Sequence, residues 1–362
     1  MSLLLYGAYG YTGRLIAQEA AERPLPLVLA GRDPAPLGDL GTRLGLPTRS
    51  VSLEEPDQLR AVLDEVTAVL HCAGPFVHTG SPMVEACLDT GTHYLDLTGE
   101  MEVFRRLEAR SEEAESAGVM LVPGIGFDVV PSDCLARFVA GQAEETTTLE
   151  VALYAEGTVS QGTLTTLIEQ MGQGGLVRRE GQLREVPPGW TSRTVNFGDR
   201  ERRVVSIPEG SVVTTGTSTT VPNVTAYLAL PAPVRALLRA SRHVQGVLRW
   251  RPLKRFLSRL VERRRDGPTA DERRRGRTVV WASARGQNGS ATTARLHGPE
   301  AYTFTARAAT SALERVLDGT SPCGYQTPST AFGEEFVLEV DGVNRTLVEG
   351  SSSARGPDRT ST

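Results

Sequence analysis

The stretch LLLYGAYGYTGRLIA, residues 3–17, places three glycines between an apolar run and a helix-spaced stripe. Residues 3–6 are short, apolar and unbroken, which is typical of a strand buried on both faces. Leu15, Ile16 and Ala20 then begin an apolar pattern with helical spacing. The glycines therefore lie in a strand-to-helix turn, where a residue without a Cβ lets a backbone or a ligand approach closely.

The spacing of the three glycines is G-x-x-G-x-x-G, a variant of the G-x-G-x-x-G dinucleotide fingerprint. A helix N-terminus presents unpaired N–H groups and a positive dipole end, so a phosphate can bind there. The alternative is a tight turn without a ligand, but the strand before it and the helix after it favour the dinucleotide site. We predict cofactor contacts from Gly7, Tyr9, Gly10, Tyr11, Thr12 and Gly13.

The end of the second predicted strand, residues 27–30, indicates which dinucleotide binds. An acid at this place usually binds the ribose 2′-OH of NAD, whereas an Arg accommodates the 2′-phosphate of NADP. Here the strand is followed by Gly31 and Arg32, and Asp33 comes one place later, where we expect it to start a turn or cap the next helix. The pattern favours NADP(H), the alternative being that Arg32 is an ordinary solvated side chain.

Composition narrows the class of protein. The chain has 362 residues, enough for two domains, and 40% apolar with 23% charged residues is typical of a soluble globular protein. A net charge of −4 gives a nucleic-acid role no support. The four cysteines lack C-x-x-C spacing and the five histidines lack an H-x-x-x-H pair, so we expect no metal site and a cytoplasmic location. The N-terminal apolar run is too short for a signal peptide, and no stretch is long enough to span a bilayer.

Two domains are predicted from the order of the elements. Residues 1–133 alternate strands and helices, which indicates an α/β Rossmann domain with a doubly wound parallel sheet. One of its helices is predicted to begin at Ser81. Residues 134–299 contain short strands, SVVTTG at 211–216 among them, and indicate an α+β lid domain on an antiparallel sheet. The polar, Ser-rich residues 351–362 are predicted to be disordered.

A basic segment at residues 235–277 carries about fifteen basic residues against four acids, interleaved with apolar side chains. One interpretation is a basic amphipathic helix pair that touches a membrane surface or an acidic carrier protein. The other is a helical insertion whose arginines are merely solvated, and the sequence favours this second interpretation.

Six stretches together carry a resemblance to a known family, namely GAYGYTGRLIA, LAGRD, CAGPF, HYLDLTGE, PGIGFDVVPSD and GYQTPSTAFG. In combination they resemble the saccharopine dehydrogenase-like oxidoreductases and, more narrowly, the bacterial branch of trans-acting enoyl reductases. The resemblance implies a Rossmann domain that binds NADP(H), an inserted α+β domain, and a C-terminal return at about 300–350 that brings 327–333 near the cofactor domain. The family includes C–N reductases and enzymes that reduce double bonds of lipid or polyketide intermediates.

Further candidate site residues lie at the ends of two later strands. The CAGPF stretch would run beside the cofactor, although a plain turn is the alternative; it comprises Cys72, Ala73, Gly74, Pro75 and Phe76. Tyr94 and Asp96 share one face of a strand and would orient a ribose or supply a proton, unless they form a buried polar cluster. Asp128 is placed to line the cleft, so Tyr94 and Asp128 are the predicted catalytic residues, with water as a third proton source.

These observations predict an NADPH-dependent oxidoreductase that reduces an activated C=C bond of a lipid- or polyketide-like substrate. No arginine cluster in the core motifs marks a dicarboxylate site, which favours an apolar small-molecule substrate. A saccharopine-type imine reductase is the alternative enzyme, and a non-catalytic NADP sensor is the alternative from another class. A homodimer is left open.

Overall fold

The computed structural model describes residues 2–142, 145–172, 174–248, 250–261, 266–319, 321–348 and 358–359. The chain forms two compact units. Unit 1 consists of Met1–Val130 with Tyr302–Asp341, and unit 2 of Pro131–Ala301 with Gly342–Thr362. The return to unit 1 ends before the predicted residue 350, because a strand that follows Gly342 joins the sheet of unit 2.

Unit 1 is built on a seven-stranded parallel sheet. Its strands are β1 (Leu3–Tyr6), β2 (Leu27–Gly31), β3 (Thr48–Ser50), β4 (Ala68–His71), β5 (His93–Asp96), β6 (Met120–Val122) and β15 (Gly324–Tyr325). They lie in the order β15-β6-β5-β4-β1-β2-β3, the Rossmann order with one further strand beside β6. The strand order reverses between β1 and β4, so the carboxyl ends of these two strands mark the place where ligands of doubly wound sheets bind.

The sheet of unit 1 is buried on both faces, as its apolar strands require. All four residues of β1 and all four of β4 are buried. The helices are α1 (Tyr11–Ala21), α2 (Pro34–Leu44), α3 (Pro56–Leu63), α4 (Phe76–Thr90), α5 (Met101–Glu108), α6 (Ser111–Ala117), α14 (Ala301–Leu317) and α15 (Pro328–Phe332). The α/β fold with a parallel Rossmann sheet is thus confirmed.

The helix α4 begins at Phe76, five residues before the predicted start at Ser81. The carboxylate of Glu100 accepts hydrogen bonds from the backbone nitrogens of Phe76 (3.1 Å) and Val77 (2.8 Å). These bonds satisfy the first N–H groups of the helix and extend it toward β4. The prediction was wrong because the capping carboxylate lies more than twenty residues away in sequence.

Unit 2 contains a ten-stranded sheet. Its strands are β7 (Thr146–Ala155), β8 (Gly175–Arg179), β9 (Gln182–Val186), β10 (Thr191–Asn196), β11 (Glu201–Ser206), β12 (Asn223–Ala229), β13 (Arg277–Gly286), β14 (Ala291–Pro299), β16 (Asn344–Leu347) and β17 (Asp358–Arg359). Most neighbours are antiparallel, but β12 pairs parallel with β7. The prediction of an antiparallel sheet therefore needs correction to a mixed one, because the long β7-to-β12 connection returns β12 in the direction of β7.

The helices of unit 2 are α7 (Val130–Gly141), α8 (Gln161–Gln170), α9 (Ser211–Ser218), α10 (Ala232–Ala240), α11 (Gln245–Leu248), α12 (Arg251–Val261) and α13 (Ala270–Arg275). The predicted strand at 211–216 is wrong, since these residues form α9. The carboxylate of Glu209 accepts a hydrogen bond from the Ser211 backbone nitrogen (3.0 Å), and this buried contact starts the helix despite the β-branched sequence.

None of the described helices has the length and hydropathy needed to cross a membrane. The tail predicted to be disordered, 351–362, lies outside the described residues except for the two residues of β17, which pair with β10.

Candidate functional site

Two of the three glycines after β1 are required by the packing of the chain itself. Gly7 has a φ of +82°, and a Cβ there would lie 2.8 Å from the backbone nitrogen of Ala73. A Cβ on Gly13 would overlap the carbonyl oxygen of Gly7. The backbone of unit 1 therefore excludes a side chain at both positions.

Gly10 differs from the other two glycines. It is exposed, and its φ of −66° and ψ of 165° are open to any residue. The nearest atom that a Cβ would meet is the carbonyl oxygen of Gly7, at 3.3 Å. Internal packing thus requires a glycine only weakly here, whereas a phosphate at the start of the helix would require it strongly.

The helix α1 has no side-chain cap at its N-terminus. Its N-cap is Gly10, no side chain caps it, and its first turn contains no acidic residue. The first N–H groups of a helix lack intrahelical partners and form the positive end of the helix dipole. Beside the carboxyl ends of β1 and β4, this turn fits the diphosphate of a dinucleotide.

Tyr9 covers the end of β2. A Cβ on Gly31 would lie 2.6 Å from Cε1 of the Tyr9 ring, so only a glycine leaves room for the ring. The Tyr9 hydroxyl donates a hydrogen bond to Oδ2 of Asp33 (2.9 Å), and burial together with this contact raises the pKa of Tyr9. Asp33 occupies the N-cap position of α2 but makes no capping bond with its side chain. Its carboxylate is therefore turned toward Tyr9.

Arg32 extends from the end of β2 into solvent. Its side chain is 73% exposed, and Nε lies 3.4 Å from Oδ2 of Asp33. The terminal guanidinium nitrogens have no partner among the described residues. Two donors of a planar cation are thus available for an anion, which fits the 2′-phosphate of NADP(H) better than an uncharged 2′-OH.

The loop after β4 lies against the glycine turn. Ala73 contacts Gly7, and the Thr79 hydroxyl, one turn into α4, donates to the carbonyl oxygens of Ala73 (2.6 Å) and Pro75 (3.1 Å). Burial raises the pKa of the Cys72 thiol, so this cysteine stays protonated and is not a nucleophile. The structure therefore brings the predicted cofactor residues of the two loops together.

The N-terminus of α4 is capped by a carboxylate of the chain itself. Glu100 is buried, and both of its carboxylate oxygens accept N–H groups of the first turn of α4. Its own backbone nitrogen donates to the Thr98 hydroxyl (3.0 Å), which holds the loop after β5 in place. A carboxylate of the chain thus occupies the anion site that this helix would otherwise offer.

Tyr94 and Asp96 form a buried pair at the end of β5. The Tyr94 hydroxyl donates to Oδ2 of Asp96 (2.7 Å), and Oδ1 accepts from the backbone nitrogens of Thr98 (2.8 Å) and Gly124 (2.9 Å). Burial raises the pKa of Asp96 to about 6, against the opposing effect of these hydrogen bonds. Burial and the neighbouring carboxylate raise the pKa of Tyr94. This geometry matches the polar cluster that the sequence left as the alternative, and roles for the pair with cofactor or substrate stay predictions.

Asp128 lies beside the loop after β5. A Cβ on Gly99 would be 3.3 Å from its Oδ2, and its side chain is exposed. Desolvation by surrounding protein raises the pKa of Asp128 above the usual value for an aspartate. The two residues predicted to be catalytic are in different settings, since Tyr94 is fully buried whereas Asp128 is an exposed residue whose carboxyl group is desolvated by the protein around it.

Sequence reasoning missed the roles of three residues in this region. Glu100 caps α4, Thr79 braces the loop after β4, and the ring of Tyr302 packs edge-on against Tyr11 in α1 at 5.1 Å between centroids. Thr79 was detectable as a hydroxyl one turn after a proline at a helix start. Nothing local marks Glu100 or Tyr302, since each acts on a distant part of the chain. Within the described ranges, no group of three or more potential metal ligands occurs.

The sequence of the N-terminal domain is similar to that of known proteins. Residues 3–122 match the saccharopine dehydrogenase NADP binding domain. A probable mitochondrial saccharopine dehydrogenase-like oxidoreductase of Arabidopsis thaliana is 36% identical over 39% of this chain and 35% of its own length. A trans-acting enoyl reductase of Mycobacterium leprae is 35% identical over 36% of this chain and 33% of its own. The matches thus span about a third of these relatives.

Solved structures resemble the chain over nearly its whole length, although sequence identity is low. Saccharopine dehydrogenase (L-Glu forming) from Saccharomyces cerevisiae has a TM-score of 0.64 at 14% identity, covering 96% of this chain and 99% of that one. Homospermidine synthase from Legionella pneumophila, solved with NAD, has a TM-score of 0.64 at 10% identity, covering 99% and 95%. At such identities the likeness concerns the fold. The matched domain and the open glycine turn agree, and we conclude that residues 3–122 form an NADP-binding domain of the saccharopine dehydrogenase type.

Proposed function

We propose that the protein is an NADPH-dependent reductase. Two observations together carry this proposal. The N-terminus of α1 has no side-chain cap and begins at the exposed Gly10, and the guanidinium of Arg32 at the end of β2 is largely exposed to solvent. The first fits a diphosphate and the second a 2′-phosphate. The bound cofactor would supply the hydride, whereas the protein supplies binding, orientation and a proton.

For the substrate we infer an activated C=C bond in a lipid- or polyketide-like small molecule. Two relatives, 35% and 33% identical over 36% and 41% of this chain, bear the name trans-acting enoyl reductase. Asp128 supports this reaction as the proton donor. The surrounding protein desolvates its carboxyl group, which raises the pKa of Asp128, so it keeps its proton to higher pH than an ordinary aspartate.

Reduction of a C=N bond is the second candidate, because the relative at 36% identity bears the name saccharopine dehydrogenase-like oxidoreductase. The two reactions differ in what the protein must hold. A saccharopine-like substrate carries several carboxylates that need cationic partners, whereas an enone or enoyl thioester is held mainly by apolar surface.

Stopped-flow NADPH oxidation with two substrate panels tests the proposal. Enoyl thioesters and enones form one panel, and keto acids paired with amines form the other. We expect turnover with the first panel, and a decrease in kcat but not in NADPH affinity for Asp128→Asn. Turnover confined to the amine panel would establish the C=N reaction instead. Tight NADPH binding without turnover of either panel would support a non-catalytic NADP sensor.

A further inference from the structure

The exposed apolar side chains of unit 2 are concentrated in one helical stretch, the α10–α12 segment (residues 232–261). Six large apolar side chains are exposed there, at Val234, Leu237, Val244, Trp250, Phe256 and Leu260. Leu237 is 71% exposed, Trp250 61% and Phe256 59%. Elsewhere in the described chain only three such side chains occur. Scattered exposed apolar residues are normal, but such a concentration marks an interaction surface.

The helix α12 shows how this surface is built. It packs against α8, and the side chain of Gln161 donates a hydrogen bond to the carbonyl oxygen of Val261 (3.1 Å). Val261 is buried, whereas Phe256 and Leu260, four residues apart and so on one face of the helix, are exposed. Phe256 and Leu260 therefore present apolar surface to solvent although α12 packs on α8.

The same segment is strongly cationic although the whole chain has a net charge of −4. No Asp or Glu occurs in residues 210–261. The described cations of the segment form no ion pair with a carboxylate in the described chain; they are Arg235, Arg239, Arg242, Lys254, Arg255 and Arg259. Burial and the charges of three neighbouring arginines lower the pKa of Arg239, which shows how closely these cations are placed.

On α12 the exposed cations and the exposed apolar side chains form two adjacent stripes. Arg255 precedes Phe256, Arg259 precedes Leu260, and all four are exposed. A protein interface normally has an apolar centre surrounded by a polar rim. A stripe of aromatic and aliphatic side chains beside a stripe of arginines is instead typical of a helix that lies in the headgroup region of a bilayer.

We propose that the α10–α12 segment binds the surface of an anionic lipid bilayer, with Leu237, Trp250 and Phe256 entering the boundary between headgroups and acyl chains. The arginines contact lipid phosphates and carboxylates. A second copy of this chain fits the surface poorly, because a symmetric contact would bring the unpaired cations of two copies together. This proposal is independent of the reaction that the protein catalyses.

Vesicle co-sedimentation of the full-length protein tests the proposal. We expect binding to phosphatidylcholine vesicles with about 30 mol% phosphatidylserine and none to phosphatidylcholine alone. Binding is expected to disappear between about 0.1 M and about 0.5 M salt, because the Debye length shortens. A blue shift of tryptophan emission that is lost in Trp250→Leu would report the entry of this side chain.

Two variants and one control separate the contributions. Phe256→Gln should weaken binding at least about tenfold through the lost apolar contact. Arg255→Gln should weaken it about fivefold and reduce its salt dependence. Leu347→Gln is the matched control, because Leu347 is 58% exposed but lies on β16, outside the segment, and it should bind normally. Circular dichroism checks that each variant is folded.

Four outcomes would overturn the proposal. The first is equal binding to vesicles with and without phosphatidylserine, and the second is unchanged binding of Phe256→Gln. The third is absence of vesicle binding together with salt-sensitive binding to a purified acidic carrier protein, which would assign the surface to a protein partner. A dimer in solution that Phe256→Gln converts to monomer would assign it to a second copy.

Discussion

Two helices of unit 1 begin next to each other at the carboxyl ends of neighbouring strands, and only one of them is open. α1 starts at Gly10 without a capping side chain or an acid in its first turn. α4 starts at Phe76, where Glu100 accepts two of its N–H groups. The Rossmann topology offers both helix starts to an anion, but the chain fills one with its own carboxylate. The comparison teaches that a ligand site in this fold depends on which helix start is left uncapped.

The largest effect is expected near the capped start of α4, where the free energy of unfolding should depend on pH. Asp96, beside the Glu100 loop, has its pKa raised to about 6 by burial, above its unfolded value. The folded state therefore binds the proton more tightly, and the contribution of Asp96 to stability is lost as pH rises from about 4 to about 6. Relative to Asp96→Asn, the protein should lose up to about 3 kcal/mol of unfolding free energy over this range.

Urea denaturation of both proteins at several pH values measures this difference. Asn can still accept the two backbone hydrogen bonds that Oδ1 of Asp96 accepts from Thr98 and Gly124. Parallel pH profiles for the two proteins would contradict the prediction, and would mean that Asp96 is ionised in the folded state throughout this range.

The next largest effect is expected from a substitution at the uncapped start of α1. Gly10→Val should weaken NADPH binding at least about 100-fold, about 2.7 kcal/mol, because a side chain would fill the space of the diphosphate. The fold should survive, since the φ and ψ of Gly10 are open to any residue. Isothermal titration measures the affinity, and Gly38→Val in α2, where a Cβ meets nothing within 4 Å, is the control. Normal NADPH binding by Gly10→Val would mean that the glycines only form a turn and do not make room for the cofactor.

A third effect is expected when the carboxylate that caps α4 is replaced. Glu100→Gln replaces a carboxylate that accepts two backbone N–H groups with an amide that has one acceptor oxygen. We expect a loss of about 1–2 kcal/mol of unfolding free energy, the usual cost of a lost helix cap. Urea denaturation gives the stability and titration gives the NADPH affinity, which should change less than about threefold because the proposed cofactor site is at α1. A larger loss of affinity than of stability would place Glu100 in the cofactor site.

The smallest effect concerns the difference in affinity between NADPH and NADH. Arg32 should give NADPH an advantage over NADH of at least about tenfold, about 1.4 kcal/mol. Arg32→Asp should remove or reverse this preference without changing stability, because the side chain is exposed. Titration of both cofactors against both proteins measures it, and equal affinities in the unmodified protein would refute the role of Arg32.

Unit 1 was largely predictable because its pattern is local. A buried apolar strand, a glycine turn and an amphipathic helix follow each other within residues 3–21, and each element is specified by its own residues. Unit 2 was less predictable. Residues 211–218 have the β-branched composition of a strand, yet they form a helix whose first N–H group is bound by Glu209, two residues earlier, because strand and helix propensities are weak.

By itself, the sequence determined the Rossmann domain, the glycine turn and the position of Arg32, because these depend on residues that are neighbours in the chain. Only the tertiary structure decided that Gly10, unlike Gly7 and Gly13, is not required to be a glycine by the packing of the chain. It also decided that the start of α4 is closed, because Glu100 reaches that helix from the loop after β5. The reason is physical: whether a helix N-terminus is free depends on which carboxylate the fold brings to it, and that partner can come from any distance along the chain.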